Sequence, residues 1–196
     1  MGNLIIISFL FSANPNIGFG VGQTLGEHLL MPSLFTMRIG IREPFVIAPE
    51  VDIEYSSQEA EIDSTKDTDL SLGVECNLHY AFLRRGKTKF CGIFGIGANI
   101  SKEVFEWYEH EWGDSLYKVK QTTTTYCYGL NLGLGMEQFL TDNLSIYISS
   151  LSNISFQDET REKQAKGETQ TIHRRSGYCV DFQNLKCCIY LIWYLQ

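Results

Sequence analysis

From Asp69 to Phe82 the chain alternates without a break. Leu70, Leu72, Val74, Cys76, Leu78, Tyr80 and Phe82 are apolar, while Asp69, Ser71, Gly73, Glu75, Asn77, His79 and Ala81 are polar or small. A period of two sustained over fourteen residues belongs to an extended strand with two chemically different faces. A helix would scatter the same residues around its axis.

The pattern recurs. Residues 126–137 set Tyr126, Tyr128, Leu130, Leu132, Leu134 and Met136 against Cys127, Gly129, Asn131, Gly133, Gly135 and Glu137. Residues 16–25, 34–42 and 45–56 alternate too, 90–101 more softly, 144–156 begins cleanly and then blurs, and 176–194 changes parity near Gln183 and Asn184, which implies a bulge. This predicts eight strands, most of them nine to fourteen residues long. A tilted membrane strand needs about 9–11 residues to cross the hydrocarbon.

The expected connectors alternate long and short: Gly26–Ser33, Glu43-Pro44-Phe45, Ser57–Thr68, Leu83–Thr88, Lys102–Gln121, Leu140–Asn143 and Gln157–Thr171. Short periplasmic turns and longer outside loops are the habit of outer-membrane barrels. An even strand count puts both termini at the short-turn end.

Alternation alone does not say which face points inward, and a soluble ligand-binding barrel has the same period with its apolar face inside. The polar face favours the membrane reading. It is rich in Gly, Ser and Asn and carries Arg38, Arg42, Glu50, Asp52, Glu54, Glu75 and His79. A narrow interior takes small residues plus a few paired charges, whereas a wet surface carries long Lys and Glu in abundance. Arg38 and Arg42 are expected to pair with Glu50, Asp52 or Glu54 on the next strand, extended by Glu75. Counting from a three-residue turn at 43–45 puts Arg42 opposite Val46 and Arg38 opposite Glu50.

The unit Gly133-Leu-Gly-Met-Glu-Gln-Phe-Leu-Thr-Asp-Asn-Leu-Ser145 resembles the sixth and seventh strands of small outer-membrane barrels of the OmpA/OmpX type, and Gly92-Ile-Phe-Gly-Ile-Gly-Ala98 is similar to their fifth. The resemblance implies an eight-stranded antiparallel up-and-down transmembrane barrel over roughly residues 16–194, located in the cell outer membrane. It implies outer-membrane lipid and the assembly machinery as partners. Members end on an aromatic residue that this machinery reads; here Trp193 and Tyr194 precede Leu195-Gln196.

Residues 1–15, with the apolar run Leu4–Phe11, are read as an atypical or clipped signal segment, and 16–196 as one barrel domain. The competing reading of the run is a buried first strand. Net charge of −7 leaves no basic footprint for nucleic acid. A monomer is expected.

No catalytic, cofactor-binding or metal-binding residue is assigned. Cys76, Cys91, Cys127, Cys179, Cys187 and Cys188 fall within expected strands without a CxxC pair and read as small apolar fillers. His28, His110 and His173 fall in or beside loops, while His79 faces the interior near Glu75. Gly18-x-Gly20-x-Gly22 invites a nucleotide reading that fails because no helix follows. Some eight-stranded barrels are lipid-modifying enzymes with a Ser/His/acid site; Ser150-Leu-Ser-Asn-Ile-Ser155 has no neighbouring His. The expected role is therefore structural or adhesion-like, exercised on a host or cell-surface ligand through outer loops, and not that of a general diffusion pore. Phe105, Trp107, Tyr108 and Trp112, amid acids in the longest loop, are either such contacts or rings that extend the strands above the membrane and mark the outer aromatic girdle.

Overall fold

Each alternating segment pairs with its neighbours in chain order. The strands are β1 (Ile17–Thr24), β2 (Leu34–Arg42), β3 (Phe45–Ala60), β4 (Thr65–Arg85), β5 (Thr88–His110), β6 (Leu116–Phe139), β7 (Leu144–Ala165) and β8 (Glu168–Tyr194). All pairs are antiparallel, and β8 returns to β1, closing the barrel. The computed structural model describes residues 17–25, 33–60, 65–110 and 116–195. The run Leu4–Phe11, His28, Pro32 and Trp112 lie outside the described residues.

The apolar face points outward. Leu72, Val74, Leu78 and Tyr80 on β4, Phe94, Ile96 and Ile100 on β5, and Tyr126, Tyr128, Leu130, Leu132 and Leu134 on β6 are exposed on the outer wall. Arg38, Glu50, Asp52, Asn77, His79, Asn131 and Glu137 are buried inside. A closed sheet that is apolar outside and polar inside satisfies every backbone group without an edge in lipid, as a membrane demands. The exterior also marks the depth. Tyr55, Tyr126, Tyr128 and Tyr178 form an upper aromatic belt, and Phe45, Tyr80, Phe82 and Trp193 a lower one. Tyr128, Phe156 and Tyr178 are in ring contact across three strands, as are Phe45 and Tyr80 below.

Strand length departs from expectation. β1 and β2 have 8 and 9 residues, but β4 to β8 have 21, 23, 24, 22 and 27. Much of Ser57–Thr68, Lys102–Gln121 and Gln157–Thr171, expected as loops, is strand. The sequence loses its alternation there because both faces of the sheet are wet once it leaves the lipid, so neither must be apolar. The outer end of β7–β8 is a two-residue turn, Lys166-Gly167, both with positive φ (52° and 84°), the backbone of a tight hairpin. At the other end Leu83–Thr88 contracts to a turn at Gly86-Lys87, with φ 59° at Gly86.

Register departs by two residues on β2–β3. The turn is Glu43-Pro44, Arg42 pairs with Phe45, and the ladder shifts between Arg42 and Gly40. Glu50 therefore lies opposite Thr36, not Arg38. The bulge restores even-to-even pairing, so the inward and outward faces agree with the alternation while the individual partners do not. The bulge expected near Gln183 and Asn184 is present: Leu151 pairs with Lys186, but Asn153 pairs with Asp181.

The outward face and its depth are testable together. Leu132 sits midway down the apolar stretch of β6 and Leu70 at the top of that of β4. Leu132→Arg is expected to cost about 2–4 kcal/mol in lipid and Leu70→Arg about 0–1 kcal/mol. Urea titration of the refolded variants in vesicles gives the order; the reverse order would contradict this placement of the bilayer.

Candidate functional site

The interior is built in layers, each supplied by inward positions of several strands. Nearest the short turns, β2 contributes Arg38, β6 Glu137, β7 Ser145 and Tyr147, and β8 Tyr194. The Arg38 guanidinium lies 3.6 Å from Glu137 and 4.3 Å from the centre of the Tyr147 ring. Ser145 and Tyr194 donate hydroxyl hydrogen bonds to Glu137 at 2.7 and 2.5 Å. His79 stacks on Tyr147 at 5.3 Å, and Cys91 sulfur is 3.7 Å from the Tyr147 hydroxyl. Gly135 leaves the space that this ring occupies; a Cβ there would strike Tyr147.

Higher up, Lys186 donates to Asp52 at 2.8 Å. Asn131 donates to Glu75 at 2.7 Å and Asn153 to Asn131 at 2.7 Å, so β4, β6 and β7 are tied through one amide chain. A cavity of about 60 Å³ opens beside Asp52, Glu75 and Lys186.

The charged partners thus differ from those expected. Arg38 is inside but pairs with Glu137 across the barrel, and Asp52 pairs with Lys186. Arg42 is exposed at the turn end. Adjacent-strand reasoning considers only neighbours in the sheet, whereas in so narrow a barrel opposite walls are equally close. Glu137 lies on the inward parity of its strand, and that parity is the signal by which the sequence marks it. His79 is interior, as expected, with Tyr147 as its ring partner. Ser155 is buried on the inner wall opposite Gly129, away from the His79–Tyr147 stack. All six cysteines are free. His110 ends β5 and His173 is exposed on β8, so neither occupies a loop.

The second region is the sheet above the belt. Among the described residues, β1 and β2 contribute nothing beyond Leu25 and Ser33, whose last backbone hydrogen bonds are with Cys187 and Ile53. Among those residues, β3 beyond Ile53 and β8 from Glu168 to Asp181 therefore pair on one side only. Among the described residues, six strands continue upward as an open sheet.

Phe105, Trp107 and Tyr108 belong to β5 in this sheet, so they extend a strand above the lipid band, as one of the two expectations has it. Trp107 indole, Tyr117 hydroxyl and Lys163 ammonium all donate to Glu109, at 3.0, 2.8 and 3.1 Å. These four residues come from β5, β6 and β7, so the tip is cross-braced. The Tyr117 hydrogen bond, followed by those of Lys163 and Trp107, holds the Glu109 carboxyl below its ordinary range. On the other face, Lys118 donates to Glu106 at 2.7 Å, which raises the Lys118 ammonium above its usual value. The carboxylates of Asp67, Asp69 and Glu103 also converge within 4.8 Å of one another.

No protein-family model matches the chain, and no curated protein sequence matches it. Solved structures do. A major outer membrane protein from Thermus thermophilus superposes with a TM-score of 0.59 at 12% identity, covering 93% of this chain and 100% of that one. The chain is an outer-membrane β-barrel by fold. CarO of Acinetobacter baumannii (TM-score 0.49, 8% identity, 92% and 97% covered) and Ail, the attachment invasion locus protein of Yersinia pestis (0.32, 10%, 92% and 92%), are also similar. The barrel sits in the cell outer membrane, with the apolar band between its two aromatic belts in contact with lipid.

Two outcomes follow from these contacts. Glu137→Leu strands the Arg38 charge and is expected to cost about 3–5 kcal/mol, with the Arg38→Met/Glu137→Leu double variant losing less than the sum of its singles. Unfolding in vesicles measures this, and additive losses would break the pairing. At the tip, a depressed carboxyl stabilises above its unfolded pKa and loses that contribution as pH falls through the lower, folded one. Amide exchange on 105–109 is therefore expected to accelerate only below the ordinary Glu range of about 4.3. Glu109→Gln should abolish that step; its persistence would assign the step to another group.

Proposed function

We propose that this protein is a surface-interaction barrel that presents its protruding sheet to partners outside the cell, and that it is not a general diffusion pore. One observation carries the reading. Six strands run far past the lipid band as a braced, ordered sheet that spanning the membrane does not require. On β6 the ten residues Leu116–Thr125 stand above Tyr126, about 33 Å of strand at ~3.3 Å per residue. Maintaining regular strands in water, with Glu109 tying three of them, fixes the display of side chains more firmly than loops would. The filled interior supports the negative part of the proposal, since Arg38–Glu137, Lys186–Asp52 and the asparagine chain occupy the lumen. The resemblance to the OmpA/OmpX type fits this reading and adds no particular ligand.

The deciding experiment trims the sheet. A chain in which short turns join β5 to β6 and β7 to β8 just above Ile100, Tyr126 and Phe156 should still insert and show heat-modifiable gel migration. Cells displaying the full chain are expected to adhere to matrix-coated or animal-cell surfaces, and cells displaying the trimmed chain to lose that gain. Equal adhesion by both would defeat the proposal.

A further inference from the structure

The short-turn end holds a feature that neither the lumen network nor the protruding sheet uses. A cavity of about 670 Å³ opens there, within the range of small-ligand sites, roughly 300–1,000 Å³. Its floor is the Arg38–Glu137 layer with His79, and its mouth is ringed by Arg42, Arg84, Lys87 and Lys89 against Glu43 and Asp142. The bulge between Ala81 and Leu83 resets parity on β4 so that Arg84 lies opposite Lys89 and both line the cavity.

Among the described residues, these cations are under-compensated. Glu43 is shared, with Arg84 at 3.3 Å and Lys89 at 3.8 Å. Lys87 reaches the Leu140 carbonyl, at 3.5 Å, and Arg42 is exposed. Lys89 also lies 5.0 Å over the Phe139 ring, so an apolar wall adjoins the charge. The chain as a whole carries −7, which makes a cationic mouth at this one end a local departure and not a consequence of composition.

We propose that this vestibule binds a short acidic peptide on the periplasmic side. Side-chain carboxylates would supply counter-charge to Arg42 and Lys87 and to Arg84, which shares Glu43 with Lys89. Guanidinium groups bind carboxylates in paired hydrogen bonds. The aliphatic stems of the peptide lie against Phe139, which lines the same cavity. The volume admits a few residues and, among the described residues, the mouth is open, so an extended segment can enter end-on.

The test uses the full chain in lipid nanodiscs and fluorescent tetraglutamate, read by anisotropy, with tetralysine and inorganic phosphate as competitors. Saturable binding is expected, displaced by unlabelled tetraglutamate and by neither competitor at equal concentration. Arg84→Glu/Lys87→Glu should weaken it by about tenfold or more, as two reversed charges imply. Arg42→Gln, outside the Glu43 cluster, should weaken it less and serves if the double variant fails to migrate as a folded barrel. Lys118→Glu, at the opposite end, should leave it unchanged. Three results each overturn the proposal: unchanged affinity in the turn-end variants, equal loss from Lys118→Glu, or displacement by phosphate as effective as by peptide, which would assign the site to a phosphate-bearing ligand.

Discussion

Closure of β8 onto β1 is the constraint on which the rest depends. In hydrocarbon an unpaired strand edge leaves a row of backbone groups without partners, each costing several kcal/mol. The seam runs from Gly18 opposite Tyr194 to Thr24 opposite Cys188. The inward positions of β1 from 18 to 22 are all glycine, which gives this seam its clearance. A Cβ at Gly18 would press on Tyr194, at Gly20 on Thr36 and Ile192, and at Gly22 on Tyr190. The glycine repeat that superficially suggests a nucleotide loop is thus the clearance through which tyrosines of the last strand enter the lumen.

Once the sheet is closed, what fills it must be mutually satisfied. The lumen brings together Arg38, Glu137, Asp52, Lys186, Glu75 and several amides. Buried charge is tolerable when paired and hydrogen-bonded and expensive otherwise. Glu137 meets that requirement with Arg38, Ser145 and Tyr194 from three other strands, so the network ties together walls that the backbone ladder does not join directly. The same packing that stabilises the barrel fills its bore.

The two ends then diverge for different physical reasons. At the outer end, strands continue beyond the lipid because adjacent strands still satisfy each other, and β1 and β2 end lower on the wall. Among the described residues the result is an open sheet whose edge carries Glu168, Arg174 and Arg175 on β8, the kind of charge that discourages uncontrolled edge pairing. At the inner end, tight turns converge, and basic residues on the β4–β5 turn gather around a recess floored by the Arg38–Glu137 layer.

Much of this is legible in the chain. Strand count, outward face and the bulge in β8 all follow from alternation and spacing. These are local properties: a period of two forces successive side chains to opposite faces whatever the strand meets. The sequence is silent where the constraint is not local. Strand length above the membrane leaves no periodic trace, because a sheet wet on both faces needs no alternation. Arg38 is marked as interior by its parity, yet its partner Glu137 lies 99 positions away along the chain, and that meeting is decided by register, stagger and barrel width. Sequence by itself thus determined which residues face lipid and which face the lumen. Only the tertiary structure decided which of the lumen residues touch, because contact across a barrel depends on how the whole sheet closes.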